Sequence, residues 1–78
     1  MIFLIDYDRT TRSTVRLDRY SDSERGKAQD ERLKIELSLL EKDLLMQHEV
    51  VIIGAAAEET VRRTHSRYFE RLPEPAST

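Results

Sequence analysis

The feature that most constrains the fold is the opening segment, residues 2–7, whose first four residues are all apolar. In an extended strand alternate side chains point to opposite faces, so Phe3 and Ile5 lie on one face and Ile2 and Leu4 on the other. A strand that is apolar on both faces is typical of a strand covered on each side. We therefore expect residues 2–7 to form the central strand of a sheet.

A second strand is predicted over residues 14–20, after the polar turn of residues 8–13, so the two strands form a hairpin. Its apolar residues Val15 and Leu17 alternate with charged residues, which is typical of a half-exposed edge strand. We expect Val15 and Leu17 to join the core. The turn contains no glycine, so the sequence leaves the register of the hairpin open.

A long helix is predicted after the N-cap candidates of residues 21–23, ending near Gln47. One of its sides carries four leucines and is expected to face the sheet: Leu33, Leu37, Leu40 and Leu44. A second apolar stripe lies on nearly the opposite side: Ala28, Ile35, Leu39 and Met46. One sheet cannot cover both sides of a helix. The second stripe is therefore expected either to pack against the second helix or to bind a protein partner.

A third strand is predicted over residues 50–53, and a second helix from Glu58 to near Leu72. The order β-β-α-β-α predicts a single compact α+β domain over residues 1–72. Since the first strand is central, its three-stranded sheet is expected to be antiparallel with order 2-1-3, packed with two helices. Residues 73–78 contain two prolines and no periodicity, so we expect a disordered tail.

Composition excludes several classes of function. The chain of 78 residues has a net charge of -2 and no cysteine, so it can form no disulfide, thiolate metal site or thiol nucleophile. We find neither a signal peptide nor a membrane span, and we expect a cytoplasmic protein. A chain this short has a marginal core, which favours self-association.

Six arginines in the hairpin turn and the second helix could contact phosphates: Arg9, Arg12, Arg62, Arg63, Arg67 and Arg71. The spacings of Glu58 with Arg62 and of Glu59 with Arg63 instead indicate ion pairs within the helix. The sequence has no glycine-rich phosphate loop and no helix-turn-helix spacing. Nucleic-acid binding is therefore the alternative rather than the first hypothesis.

Two polar groups could support chemistry. His65 shares a predicted helical stripe with Val61, Tyr68 and Leu72, so we interpret it as a partly buried structural histidine. Asp6 and Asp8 end the first strand on one face, and His48 could join them if the third strand is antiparallel. These three residues support the one enzymatic hypothesis, a site that binds a metal ion or performs acid–base chemistry.

The residues favour a small, non-enzymatic protein-interaction module that binds itself or another protein. The proposed interface is the second stripe of the long helix, with the strand edge of residues 50–53 as a further option. A nucleic-acid-associated accessory protein using the six arginines is the alternative. We expect no catalytic residues, no cofactor and no metal.

Overall fold

The computed structural model describes residues 1–73. Its elements are β1 (Ile2–Asp8), β2 (Ser13–Tyr20), α1 (Arg25–Glu41), β3 (His48–Gly54), α2 (Glu58–Thr64) and α3 (Arg67–Glu70). β1 lies between β2 and β3, and both pairings are antiparallel. The predicted α+β fold with strand order 2-1-3 is confirmed. The predicted tail lies outside the described residues from position 74 onward.

β1 is covered on both faces, as its sequence predicts. Its four apolar residues Ile2, Phe3, Leu4 and Ile5 are each 0% exposed. α1 covers one face, where its side chains pack around Leu4. α2 and α3 cover the other face through Val61 and Tyr68. The molecule therefore has three layers, with the sheet between two helical layers.

A β-bulge interrupts the hairpin and changes which residues of β2 reach the core. Asp6 is opposite Arg16, and the next residue of β1 is opposite Thr14, so Val15 has no partner on β1. Val15 is 45% exposed, and its predicted place in the core is wrong. Thr14 takes the buried position instead, where its hydroxyl donates to the backbone carbonyl of Tyr68 at 2.6 Å.

α1 ends at Glu41, earlier than the predicted Gln47, because the chain turns through a left-handed residue. Asp43 has φ 59°, and its backbone N–H donates to the carbonyl of Leu40 at 3.1 Å. The N–H of Leu44 donates to the carbonyl of Leu39 at 2.8 Å, and both leucines pack in the same apolar cluster. These bonds satisfy the last carbonyls of the helix in the usual left-handed cap.

The predicted orientation of α1 is wrong. The second stripe faces the sheet, with Ala28 0%, Ile35 9% and Leu39 7% exposed. These three residues therefore belong to the core, and the premise of their predicted role as an interface, that they are exposed, does not hold. Met46 is 85% exposed, but it lies in a 3₁₀ turn, Leu45–Gln47, beyond the end of α1.

The predicted second helix is broken into α2 and α3. The N–H of His65 donates to the carbonyl of Val61 at 2.8 Å and closes α2, after which the chain turns at Ser66. Val61 and Tyr68 remain inward, but His65 is exposed. The prediction of a partly buried His65 is therefore wrong.

Candidate functional site

The outward side of α1 carries three exposed leucines. Leu33, Leu37 and Leu40 are 57%, 51% and 60% exposed, and their spacing of four and three residues places them on one side of the helix. We call these three residues the outer leucine side. The sequence assigned them to the core, because an apolar period does not show which side of a helix the sheet covers.

The outer leucine side leans toward the β3 edge of the sheet. One flank of α1 faces β2, because Glu31 accepts from Arg16 of β2 at 3.1 Å. Lys34 lies on the same flank, where its ammonium pairs with Glu31 at 3.3 Å. At about 100° per residue, Leu33 and Leu40 lie on the other side of the helix midline from Glu31 and Lys34. These leucines are therefore on the β3 side of α1.

Asp6 and His48 form the hydrogen-bonded pair that an antiparallel β3 was expected to bring together. His48 Nδ1 lies 2.6 Å from Asp6 Oδ1, and the side chains of His48 and Asp6 are 11% and 10% exposed. Asp8 lies opposite His48 in the sheet, but its carboxylate accepts from the backbone N–H of Thr10 at 2.8 Å. The hydrogen bonds from Thr10 lower the pKa of Asp8. The structure thus uses Asp8 to form the hairpin turn.

The structure brings no metal-ligating set together around this pair. Among residues 1–73, no group of three or more histidine, cysteine, aspartate or glutamate side chains is placed to hold a metal ion. The pair is nearly sealed beneath α1, at the end of the apolar cluster that contains Leu4. Its burial and mutual hydrogen bond favour a structural role.

A pocket of about 290 Å³ opens beside Asp6, between α1 and β2. Its lining contains one carboxylate, three cationic side chains, one hydroxyl and two core residues: Asp6, Arg16, Lys34, Ile35, Ser38, Leu39 and Lys42. The Arg16 guanidinium donates to Asp18 at 2.6 Å and to Glu31 at 3.1 Å. Since Lys34 also pairs with Glu31, two of the three cations are already neutralised by the protein. The pocket therefore attracts an anion only weakly.

On the opposite face, Glu49 joins three elements. Its carboxylate accepts from Tyr68 and Arg67 of α3 and from Arg9 of the hairpin turn, the last at 3.3 Å. The hydrogen bond from Tyr68 is the largest cause that lowers the pKa of Glu49, while burial raises the pKa of Tyr68. The Arg67 guanidinium also lies 5.1 Å from the ring centres of Tyr7 and Tyr68. This cluster fixes α3 to the sheet.

A second ion-pair cluster fixes the start of α2. Glu58 accepts from Arg19 of β2 and pairs with Arg62 at 2.9 Å. The hydrogen bond from Arg19 is the main cause that lowers the pKa of Glu58 to about 2. Arg62 also lies 4.7 Å above the ring centre of Phe69.

Most of the six predicted phosphate-binding arginines contact the protein itself. Arg9 and Arg67 meet at Glu49, and Arg62 pairs with Glu58. Arg71 donates to the backbone carbonyl of Thr11 at 2.8 Å, in the hairpin turn that also contains Arg12. Arg63 is exposed on α2. The structure thus divides the six between the hairpin end of the sheet and α2, and nucleic-acid binding stays a prediction.

Comparisons with family models, with curated proteins and with solved structures give no match to this chain. Within residues 1–73, no helix is both long enough and apolar enough to cross a membrane. Two features escaped the sequence analysis, the exposed leucines and the Glu49 cluster. The period of the leucines does not show that they are exposed, and the Glu49 cluster joins residues that are distant in the chain.

Proposed function

We propose that this chain is a small non-enzymatic interaction module that self-associates through the outer leucine side of α1. The observation that carries the proposal is the exposure of Leu33, Leu37 and Leu40, each of which is more than half exposed. The inner side of α1 already covers the sheet, so these leucines have no role in the core of a single copy. Three leucines on one helical stripe form the kind of contiguous apolar surface that marks protein interaction sites.

Burial of these leucines supplies a favourable free energy of association. Removing apolar surface from water contributes about 25 cal/mol for each Å². In a chain of this size the core is small, so a second copy adds proportionally more apolar burial than it would in a large domain. A symmetric homodimer buries the leucines of both copies, because the stripe of each copy packs against the same stripe of the other.

Light scattering coupled to size-exclusion chromatography, over a range of protein concentrations, tests the proposal. We expect a mass that rises toward twice the chain mass of 9.2 kDa as the concentration increases. The double substitution Leu37→Glu with Leu40→Glu should keep the fold and yield a monomer. Val15→Glu is the control, because each substitution in the test variant likewise adds one negative charge at an exposed apolar residue, and Val15 lies on β2, away from α1. A monomer at every concentration for the unsubstituted protein would refute self-association.

An acid–base site at Asp6 and His48 ranks third, after self-association and the alternative of nucleic-acid binding. The two side chains satisfy each other's hydrogen-bonding capacity and lie nearly buried under α1, which supports a structural role for them.

We also propose a cytoplasmic location, which the absence of cysteine supports because cytosolic proteins rarely depend on disulfides.

A further inference from the structure

The two edges of the sheet differ in how well they are protected from pairing. On β2 the bulge at Val15 breaks the strand, and the backbone N–H of Thr14 is occupied by the carbonyl of Arg71 at 2.8 Å. β3 pairs with β1 over all seven of its residues and has no bulge in that pairing. Its outer edge has no strand partner within residues 1–73.

The middle of β3 also lacks the residues that usually prevent edge pairing, and the charged Glu49 near its start is already engaged by Arg9, Arg67 and Tyr68. Residues 50–53 are Val-Val-Ile-Ile, with neither a charge nor a proline. Natural edge strands are usually interrupted by charged side chains, prolines or bulges, because a regular apolar edge pairs readily with another strand. β3 therefore has the properties of a strand that pairs further, whereas β2 has those of a terminal edge.

We propose that a second copy of this chain pairs with β3 edge to edge, antiparallel, about a twofold axis near Val51. The two sheets then form one six-stranded sheet, and the two α1 helices lie side by side on the same face. This inference rests on the proposed self-association and specifies how the outer leucine side is covered. An axis at Val51 places Val50 opposite Ile52 of the second copy, so no like charges meet along residues 50–53.

The position of α1 suits this arrangement. The helix packs on β1 and β3 rather than centrally on the sheet. Neighbouring strands lie about 4.8 Å apart, so helices above the β1–β3 boundary of each copy would be separated by two strand spacings, about 9.6 Å. Packed helices have interaxial distances of about 8–10 Å. The leucines that lean toward β3 would therefore fill the space between the helices.

The charges on the β3 flank of α1 select a second copy in the antiparallel orientation. Arg32 and Glu36 lie one turn apart and pair with each other at 3.3 Å. In an antiparallel pair, Arg32 of one copy lies near Glu36 of the second copy, and the twofold axis repeats this contact. In a parallel pair, equivalent residues would face each other and like charges would meet.

The matched substitutions Arg32→Glu and Lys34→Glu test which flank of α1 faces the second copy. Both reverse one charge on an exposed side chain, but Arg32 faces the β3 side and Lys34 the β2 side. We expect Arg32→Glu to weaken dimerisation at least about tenfold, because like charges would oppose each other, and Lys34→Glu to leave it within about threefold. The double substitution Arg32→Glu with Glu36→Arg should restore the dimer.

Amide hydrogen exchange of the unsubstituted protein at low and high concentration tests the strand edge directly. Alternate amides of an antiparallel edge strand bond to the inner neighbour, and the others face outward. We expect the outward amides of β3 to become protected at high concentration, while the amides of β2 do not change.

The outcomes separate this inference from the proposed function. A dimer without added protection in β3, or one that Lys34→Glu weakens as much as Arg32→Glu, would overturn the edge pairing and leave self-association through the leucines intact. A protein that stays monomeric at every concentration would overturn both. A dimer with protected β3 amides and rescue by the double substitution would support the inference.

Discussion

The inner and outer sides of α1 are alike in sequence and opposite in environment. The inner side has Ala28, Ile35 and Leu39, all nearly fully buried, while the outer leucine side has three leucines that are each more than half exposed. The outer side is thus at least as apolar as the side that faces the core. A single copy thus buries only one of the two apolar sides of α1, and we propose that a second copy covers the other.

The choice between the two sides depends on the sheet rather than on the helix. Ala28 is 0% exposed, and its small side chain allows the start of α1 to approach the sheet closely. Ile35 and Leu39 fit the cluster around Leu4, together with Leu44 after the turn at Asp43. The leucines at the other side have no equivalent surface within residues 1–73.

The sharpest test of this comparison uses two neighbouring leucines. Leu39 is 7% exposed and Leu40 is 60% exposed. We expect Leu39→Ala to lower the free energy of unfolding by about 2–5 kcal/mol, because it removes buried methyl groups and leaves a cavity. Leu40→Ala should change it by less than about 0.5 kcal/mol in dilute solution. Urea denaturation followed by circular dichroism measures both.

Concentration provides the second half of this test. In the self-associating protein, the cost of Leu40→Ala should grow as the protein concentration rises, since dimerisation stabilises the folded state by mass action. The cost of Leu39→Ala should not depend on concentration in this way. Equal costs for the two variants in dilute solution would show that the two sides of α1 are not different, and that the assigned orientation is incorrect.

The sequence predicted the topology because it depends on strong local patterns. Residues 2–5, which are apolar on both faces, identified the central strand, and from it followed the order 2-1-3 and the approach of His48 to Asp6. The predictions that depend on packing were wrong. They concerned the side of α1 that is buried, the place of Val15, which a bulge exposes, and the second helix, which is broken near His65. Asp43 ends α1 in a conformation usually adopted by glycine, so the usual stop signal was absent.

The next largest effect on stability is expected at the hydrogen-bonded pair of Asp6 and His48 beneath α1. Asp6→Ala would leave His48 nearly buried without its hydrogen-bond partner. We expect a loss of about 1–3 kcal/mol in the free energy of unfolding, the cost of an unsatisfied buried polar group. Asp18→Ala is a control on the same face of the sheet, because Asp18 is about one-third exposed and should cost less.

A double-mutant cycle shows whether the two side chains act as a pair. If they do, His48→Ala in the Asp6→Ala background should cost less than His48→Ala alone. Additive costs would mean that the contact contributes nothing to the stability of the inner side.

A smaller effect, of opposite sign, is expected near the start of the outer side. Gly26 lies within α1 without a positive φ, and a β-carbon added there would meet no atom within 4 Å. Gly26→Ala should therefore raise the free energy of unfolding by about 0.4–1 kcal/mol, because it restricts the unfolded chain. Thermal unfolding by calorimetry measures the gain. A loss of stability would indicate that the start of α1 is closely packed, contrary to the open outer side.

The smallest expected effect is the pH dependence of the ion pair that joins α2 to the sheet. Each helical layer packs through apolar contacts and also has an ion pair to β2, Glu31 with Arg16 for α1 and Glu58 with Arg19 for α2. Glu58 pairs in addition with Arg62 within α2. The pKa of Glu58 is lowered to about 2 from its ordinary value of 4.5, so the ionised form stabilises the fold. This contribution is complete above the unfolded pKa and is lost as the pH falls from about 4.5 toward 2.

We therefore expect Glu58→Gln to cost up to about 1 kcal/mol near pH 7, with the difference from the unsubstituted protein disappearing as the pH approaches 2. The neighbouring, exposed Glu59 provides the matched substitution Glu59→Gln, which should show a smaller cost and a weaker pH dependence. The difference between Leu39→Ala and Leu40→Ala should persist over the same range, because neither side chain titrates. A cost of Glu58→Gln that does not change with pH would mean that the shape of the Glu58 side chain, rather than its charge, contributes to the attachment of α2.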